Sequence, residues 1–150
     1  MVLPGIEPIA FGACMAPVVF FDITERRIPD AFLLLAGLLL LLIRAATGTL
    51  RVNHFLGAAA GFLFFICIWA GARKRLGFGD VKLSGLIGFL VGAPGLIVAI
   101  LLASAGGVAV LALRRLILRI PMNESIPFAP FLVAGGAASY FLTGPLVSLL

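Results

Sequence analysis

LSGLIGFLVGAPGLIVAILLASAGGVAVLAL, running from Leu83 to Leu113, contains no charged residue. One bilayer crossing takes about 20 mostly apolar residues, so this stretch is too long for one ordinary span and short for two. Gly92-Ala93-Pro94-Gly95 lies within it, and Pro with Gly stops a helix. The stretch reads as a short fourth helix, a tight turn and a fifth helix. Further apolar segments flank it, from about Val2 to Phe21, Ala31 to Leu50, His54 to Ala72 and Pro127 to Val147. The expectation is an all-α integral membrane protein with about six transmembrane helices, forming a single polytopic domain over residues 1–150.

Composition agrees. Of the 150 residues, 63% are hydrophobic and 11% charged, and the mean hydropathy is +1.25. Soluble domains run nearer ~45–50% and ~25%, and a core of this size could not hide so much apolar surface. A water-soluble fold, a disordered chain and an acidic tail are excluded. The formal charge of +5 would suggest nucleic acid in a soluble protein. Here it fits basic loops held on the cytoplasmic side, so no nucleic-acid partner is expected. Cys14 and Cys67 form no C-x-x-C pair and read as small buried hydrophobes, with neither a zinc framework nor a disulfide. No Lys or Arg precedes the first apolar stretch, so it lacks the basic region of a signal peptide and is expected to stay in the mature protein.

The basic residues orient the helices. Arg26 and Arg27 lie after the first span, Arg73, Lys74, Arg75 and Lys82 after the third, and Arg114, Arg115 and Arg119 after the fifth. These odd-numbered loops hold nine of the eleven basic residues, leaving Arg44 and Arg51 on the other side. The positive-inside rule then makes the odd loops cytoplasmic and both termini external in a multi-pass inner-membrane protein. Small residues one turn apart, Gly57 with Gly61 and Ser84 with Gly88 and Gly92, read as faces for close helix packing.

Ionisable groups at membrane depth are costly and mark candidate function. Asp22 follows Pro17-Val-Val-Phe-Phe21, and Asp80 follows Gly77-Phe78-Gly79. With this topology, both carboxylates sit at similar depth on the cytoplasmic face. Carboxylates that close can share one proton. One then acts as general base on a water while the other polarises a scissile carbonyl, with no metal or cofactor. Helix caps, partners for neighbouring arginines, or a proton or ion relay in a small transporter fit two interfacial aspartates as well. A transporter, however, more often carries internal repeats and midplane charges, and neither is visible.

The local sequence is more specific. Asp22-Ile-Thr-Glu25-Arg-Arg-Ile28-Pro29-Asp30 resembles the first motif of the type IV prepilin peptidases. Gly77-Phe78-Gly79-Asp80-Val81-Lys82 resembles their G-x-G-D-x-K motif, and Ile126-Pro127-Phe128-Ala129-Pro130-Phe131 their Pro-Phe-Gly-Pro-Phe run, with Ala129 in place of Gly. The Gly-x-Gly-Asp element is shared with intramembrane aspartyl proteases of the presenilin type, which would be expected to lack the other two motifs. The resemblance implies a Gly-x-Gly-Asp aspartyl protease core with Asp22 and Asp80 as catalytic pair. It implies support from Ile28, Pro29, Gly77, Gly79, Lys82, Pro127, Phe128 and Pro130, and cytoplasmic cleavage of prepilins or pseudopilins after a basic leader. The zinc-binding insertion and methylation domain of longer members are not seen, which resembles the short members serving Flp-type pili. Cleavage is therefore expected, without methylation, cofactor or metal.

Other polar residues carry simpler expectations. Asp30 reads as an N-cap, Glu25 as a solvated loop charge, and Lys82 as a substrate-steering or anchoring cation. Gly77 and Gly79 read as a bend that lets Asp80 dip toward the membrane. His54 reads as an external interfacial cap, and Arg44 as a snorkelling side chain. Trp69 and Arg73 read as interface anchors, and Glu7 is given no role.

Overall fold

The fold is carried by five helices: α1 (Ile6–Glu25), α2 (Asp30–Thr47), α3 (Val52–Gly71), α4 (Phe78–Ile117) and α5 (Ala129–Val147). The computed structural model describes residues 6–25, 28–71, 77–117 and 127–147. Arg26, Arg27, Arg73, Lys74, Arg75, Arg119 and Ile126, on which parts of the loop and motif reading rest, lie outside the described residues.

The uncharged stretch forms one 40-residue element, broken only at Gly92, whose φ of 71° and ψ of 174° leave the helical region. The expected turn between two separate helices is thus reduced to one kinked residue. Glycine adopts positive φ without the Cβ clash other residues incur. Pro94 follows at the start of the new arm, where a missing N–H costs little. The break reverses the chain. In the first arm Gly88 lies against Gly57 and Ser84 against Gly61 of α3, and Ile87 lies against Gly136 of α5. In the second arm Ala99 and Ala103 meet Gly135, Gly106 faces Phe131, and Gly107 faces Phe128. The first arm therefore runs antiparallel to α3 and parallel to α5, while the second runs antiparallel to α5.

The first arm is the centre of the molecule. Residues 83–92 are all buried, as expected for a helix that is apolar all round. Its glycines meet backbone, as the small-residue spacing predicts. A Cβ at Gly61 would lie 2.5 Å from the Ser84 carbonyl oxygen, and Ser84 Oγ donates to the Gly61 carbonyl at 3.0 Å. The periphery is the inverse of a soluble protein's. Ile9, Phe20, Leu34, Leu38, Leu63, Leu101 and Leu116 are all exposed, forming an apolar outer surface suited to lipid. Among the described residues, three helices, α2, α3 and α4, are long and apolar enough to cross a membrane. Cys14 is half-buried and Cys67 exposed on this surface, so Cys67 is not the buried hydrophobe expected, and both are free thiols.

Two expectations at the end of the bundle nearest Gly92 are overturned. Arg44 does not snorkel; it is 3% exposed and donates from Nη1 to the Phe89 carbonyl at 3.1 Å and from Nη2 to the Leu90 carbonyl at 2.7 Å. The kink at Gly92 strips these carbonyls of helical partners, and a guanidinium supplies the missing donors with a favourable charge at a helix C-terminus. His54 is likewise buried rather than interfacial, its ring 6.1 Å from that of Phe89. Close by, α2 ends at Gly48 (φ 67°), with Thr49 N–H bonded to the Arg44 carbonyl at 3.0 Å.

Candidate active site

At the opposite end, α1, α2, α4 and α5 bring the three sequence motifs together. α1 continues one turn past Asp22, so Asp22 sits in the last turn rather than at the helix end. That turn is held by Phe21, whose ring lies 5.9 Å from Phe32 of α2. Asp80 occupies the first turn of α4, and its N–H bonds to the Gly77 carbonyl at 3.1 Å. Both aspartates are buried. They line one open cleft of about 520 Å³ together with Glu25, Ile28, Pro29, Asp30, Gly77, Phe78 and Gly79. Among the described residues, the cleft thus draws on the first and second motifs.

The third motif enters from behind. Ala129 N–H donates to Asp22 Oδ2 at 3.1 Å. This amide belongs to the first residue of α5 and has no helical partner of its own, so the start of α5 clamps the Asp22 carboxylate. Ala129 is fully buried, while Phe128 packs on Phe65 of α3 with ring centroids 6.2 Å apart. The packing of Phe128 thus lies next to a backbone donor that side-chain reading does not reveal. Asp80 is held differently: its Oδ1 is buried and has no hydrogen-bond partner among the described residues.

Of the glycines of the second motif, Gly79 does not make the expected bend. Neither Gly77 nor Gly79 has a positive φ, and Gly79 lies within the regular first turn of α4. Its role is close approach, since a Cβ there would stand 2.7 Å from Ile28 Cβ. Asp30 is not an N-cap either. Pro29 occupies that position without a side-chain cap, and Asp30, the first residue of α2, accepts from Lys82 Nζ at 2.7 Å. Lys82 also lies over the Phe78 ring, whose other contact is Trp69 at 5.5 Å. Among the described residues, the first motif is therefore joined to the second by a close packing contact and an ion pair. Among the described residues no group of three or more His, Cys, Asp or Glu side chains could hold a metal ion.

The sequence compared with known families matches the model of the type IV leader peptidase family over residues 9–112. The chain belongs to that family. It is 36% identical over 156 residues to a prepilin leader peptidase/N-methyltransferase of Burkholderia pseudomallei (strain 1026b), covering 97% of this chain and 50% of that protein. It is 38% identical over 93 residues to the protein so named from Bacillus subtilis (strain 168), covering 62% of this chain and 38% of that one. With the one from Dickeya chrysanthemi it shares 32% over 142 residues, 89% and 49% of the two chains. The chain thus spans about half the length, or less, of these leader peptidase relatives. No solved structure is a significant match.

Proposed function

We propose that the chain is a membrane aspartyl endopeptidase that removes the leader peptide from type IV prepilins or pseudopilins of the Flp type, with Asp22 and Asp80 as its catalytic pair. The observation that carries this reading is the meeting of two buried aspartates, one from α1 and one from α4, in a single cleft. Membership of the leader peptidase family supports the substrate class. One carboxylate takes a proton from a water, whose oxygen attacks the scissile carbonyl, while the other, protonated, donates to the carbonyl oxygen. Collapse of the tetrahedral intermediate then expels the amine, which receives a proton from the pair. The Ala129 amide fixes the Asp22 carboxyl group for this exchange. Methyl transfer is no part of the proposal.

The protein is proposed to sit in the inner membrane with the cleft facing the cytoplasm, as the basic residues favour. α4 would be about 60 Å long if straight, twice a hydrocarbon core of ~30 Å. Reversal at Gly92 divides it into a first arm of 14 residues, about 21 Å and shorter than that core, and a second of 25, about 37 Å; counting both as crossings gives six spans with external termini. The test of function is co-expression with a candidate Flp-like prepilin. Asp22→Asn and Asp80→Asn should each abolish its size shift on a gel while the protein stays in the membrane at its normal level. Normal processing by either variant would overturn the aspartyl mechanism.

A further inference from the structure

α2 and α3 are consecutive and joined by residues 48–51 alone, yet their backbones do not pack against each other; α3 packs on α4, and α2 on α1 and α4. The gap leaves a groove of about 280 Å³ over the first arm of α4. Leu33 and Leu34 form one wall, Phe62 the other and Leu86 the floor, with Asp30 and Lys82 at the mouth. Leu34 and Phe62 are exposed on the outer, apolar surface. Asp30 lines both this groove and the aspartate cleft.

We propose that the gap between α2 and α3 is a lateral portal that seats the apolar helical segment of a membrane-embedded substrate beside the aspartate pair. Its volume suits a few apolar side chains from one face of a passing helix rather than the helix itself. Adjacency to the cleft, through the shared lining residue Asp30, selects this occupant over a lipid chain. Leu33 and Leu34 lie about one turn below Asp30, a drop of ~6 Å, so the lining changes from carboxylates to leucines within that distance. A substrate with a polar cleavage junction followed directly by an apolar segment matches the change, whereas a lipid tail gains nothing from lying beside a polar cleft. The occupant thus rests on the peptidase reading above.

The test uses the full chain in lipid vesicles with a candidate Flp-like prepilin. Leu34→Trp, which fills the groove, should raise KM about tenfold with little change in kcat. Leu35→Trp, on the same helix but outside the groove, should change neither. Equal behaviour of the two variants, both unchanged or both impaired, overturns the portal. A photo-crosslinking residue at position 34 in an Asp80→Asn background should capture the substrate's apolar segment, and one at position 35 should not; capture of lipid only, or from both positions, also overturns it. If the unsubstituted chain fails to process the prepilin, the peptidase reading fails instead, and crosslinking still reports separately on the groove.

Discussion

At the end of the bundle near Gly92, buried Arg44 places its guanidinium donors on the Phe89 and Leu90 carbonyls. At the cleft end, buried Asp80 keeps one carboxylate oxygen without a partner among the described residues, while Asp22 takes a donor from the α5 backbone. Both ends bury charge, so burial alone does not separate structure from function. The difference lies in what each charge is bonded to. Arg44 repairs a break in α4, and its bonds are internal to the fold. The aspartates instead line an open cleft, where their carboxylate oxygens can meet a water or a substrate.

The comparison breaks first on sidedness, where the expected effect is all or none. With Cys14 and Cys67 removed, Val52→Cys at the Gly92 end and Glu25→Cys at the cleft end are both on exposed residues. A membrane-impermeant maleimide applied to intact cells should label Val52→Cys and spare Glu25→Cys, and lysis should expose both. The reverse pattern would put the cleft outside and end the proposed cytoplasmic reaction.

Arg44→Met should come next. Two carbonyls at the kink lose their donors, and an unsatisfied buried group costs about 1–3 kcal/mol. Denaturant titration in detergent should show a loss of that order, with Arg44→Lys recovering part of it. Processing should fall only as far as the folded fraction falls. A variant of unchanged stability would mean that the guanidinium is not what holds the kink.

The same contrast explains what could be read from the chain. The membrane class, the break near Gly92 and the small-residue faces were legible because hydropathy, Pro–Gly chemistry and one-turn spacing are local. Asp22 and Asp80 stood out because carboxylates are rare in apolar sequence. Arg44 and His54 were misread because a polar side chain in the first or last turn of a helix looks the same whether it reaches outward or inward. Only the position of the Phe89 and Leu90 carbonyls decides, and that is tertiary. The Ala129 amide was hidden for a related reason: every residue but proline has one, and its value comes from standing unpaired at the start of α5. At Gly79 the expected bend gave way to a close approach to Ile28, since backbone freedom and lack of a side chain are indistinguishable in sequence.

Gly79 gives the next sharpening. Gly79→Ala places a Cβ 2.7 Å from Ile28 Cβ, neither being the end of a flexible chain, so the start of α4 must shift and carry Asp80 with it. Misplacement of a reacting group by about 1 Å can cost 10²-fold, and processing should fall about 10–100-fold with normal membrane levels. Gly77→Ala should be milder, since its Cβ would stand 3.5 Å from Asp80 Oδ2, an ordinary contact. Equal losses in the two variants would show that close approach to Ile28 is not what matters.

The smallest effect is expected at the Asp30–Lys82 pair, and it separates the two roles open to Lys82. The pair is short at 2.7 Å, but its side chains are 60% and 35% exposed. Exposed ion pairs contribute about 0–1 kcal/mol because water screens the attraction and two flexible side chains lose freedom. If Lys82 serves only to join α4 to the start of α2, Asp30→Asn and Lys82→Met should each lower processing by a few-fold at most. The double variant should then be little worse than either single one, since each has already broken the same contact. The losses should shrink further in added salt, which screens exposed charge. If Lys82 instead holds a substrate carboxylate, Lys82→Met should raise KM well beyond the effect of Asp30→Asn. The double variant would then follow Lys82→Met alone. Processing rates of the four proteins at two salt concentrations decide between these outcomes, and the observed geometry, with Nζ already paired to Asp30, favours the first.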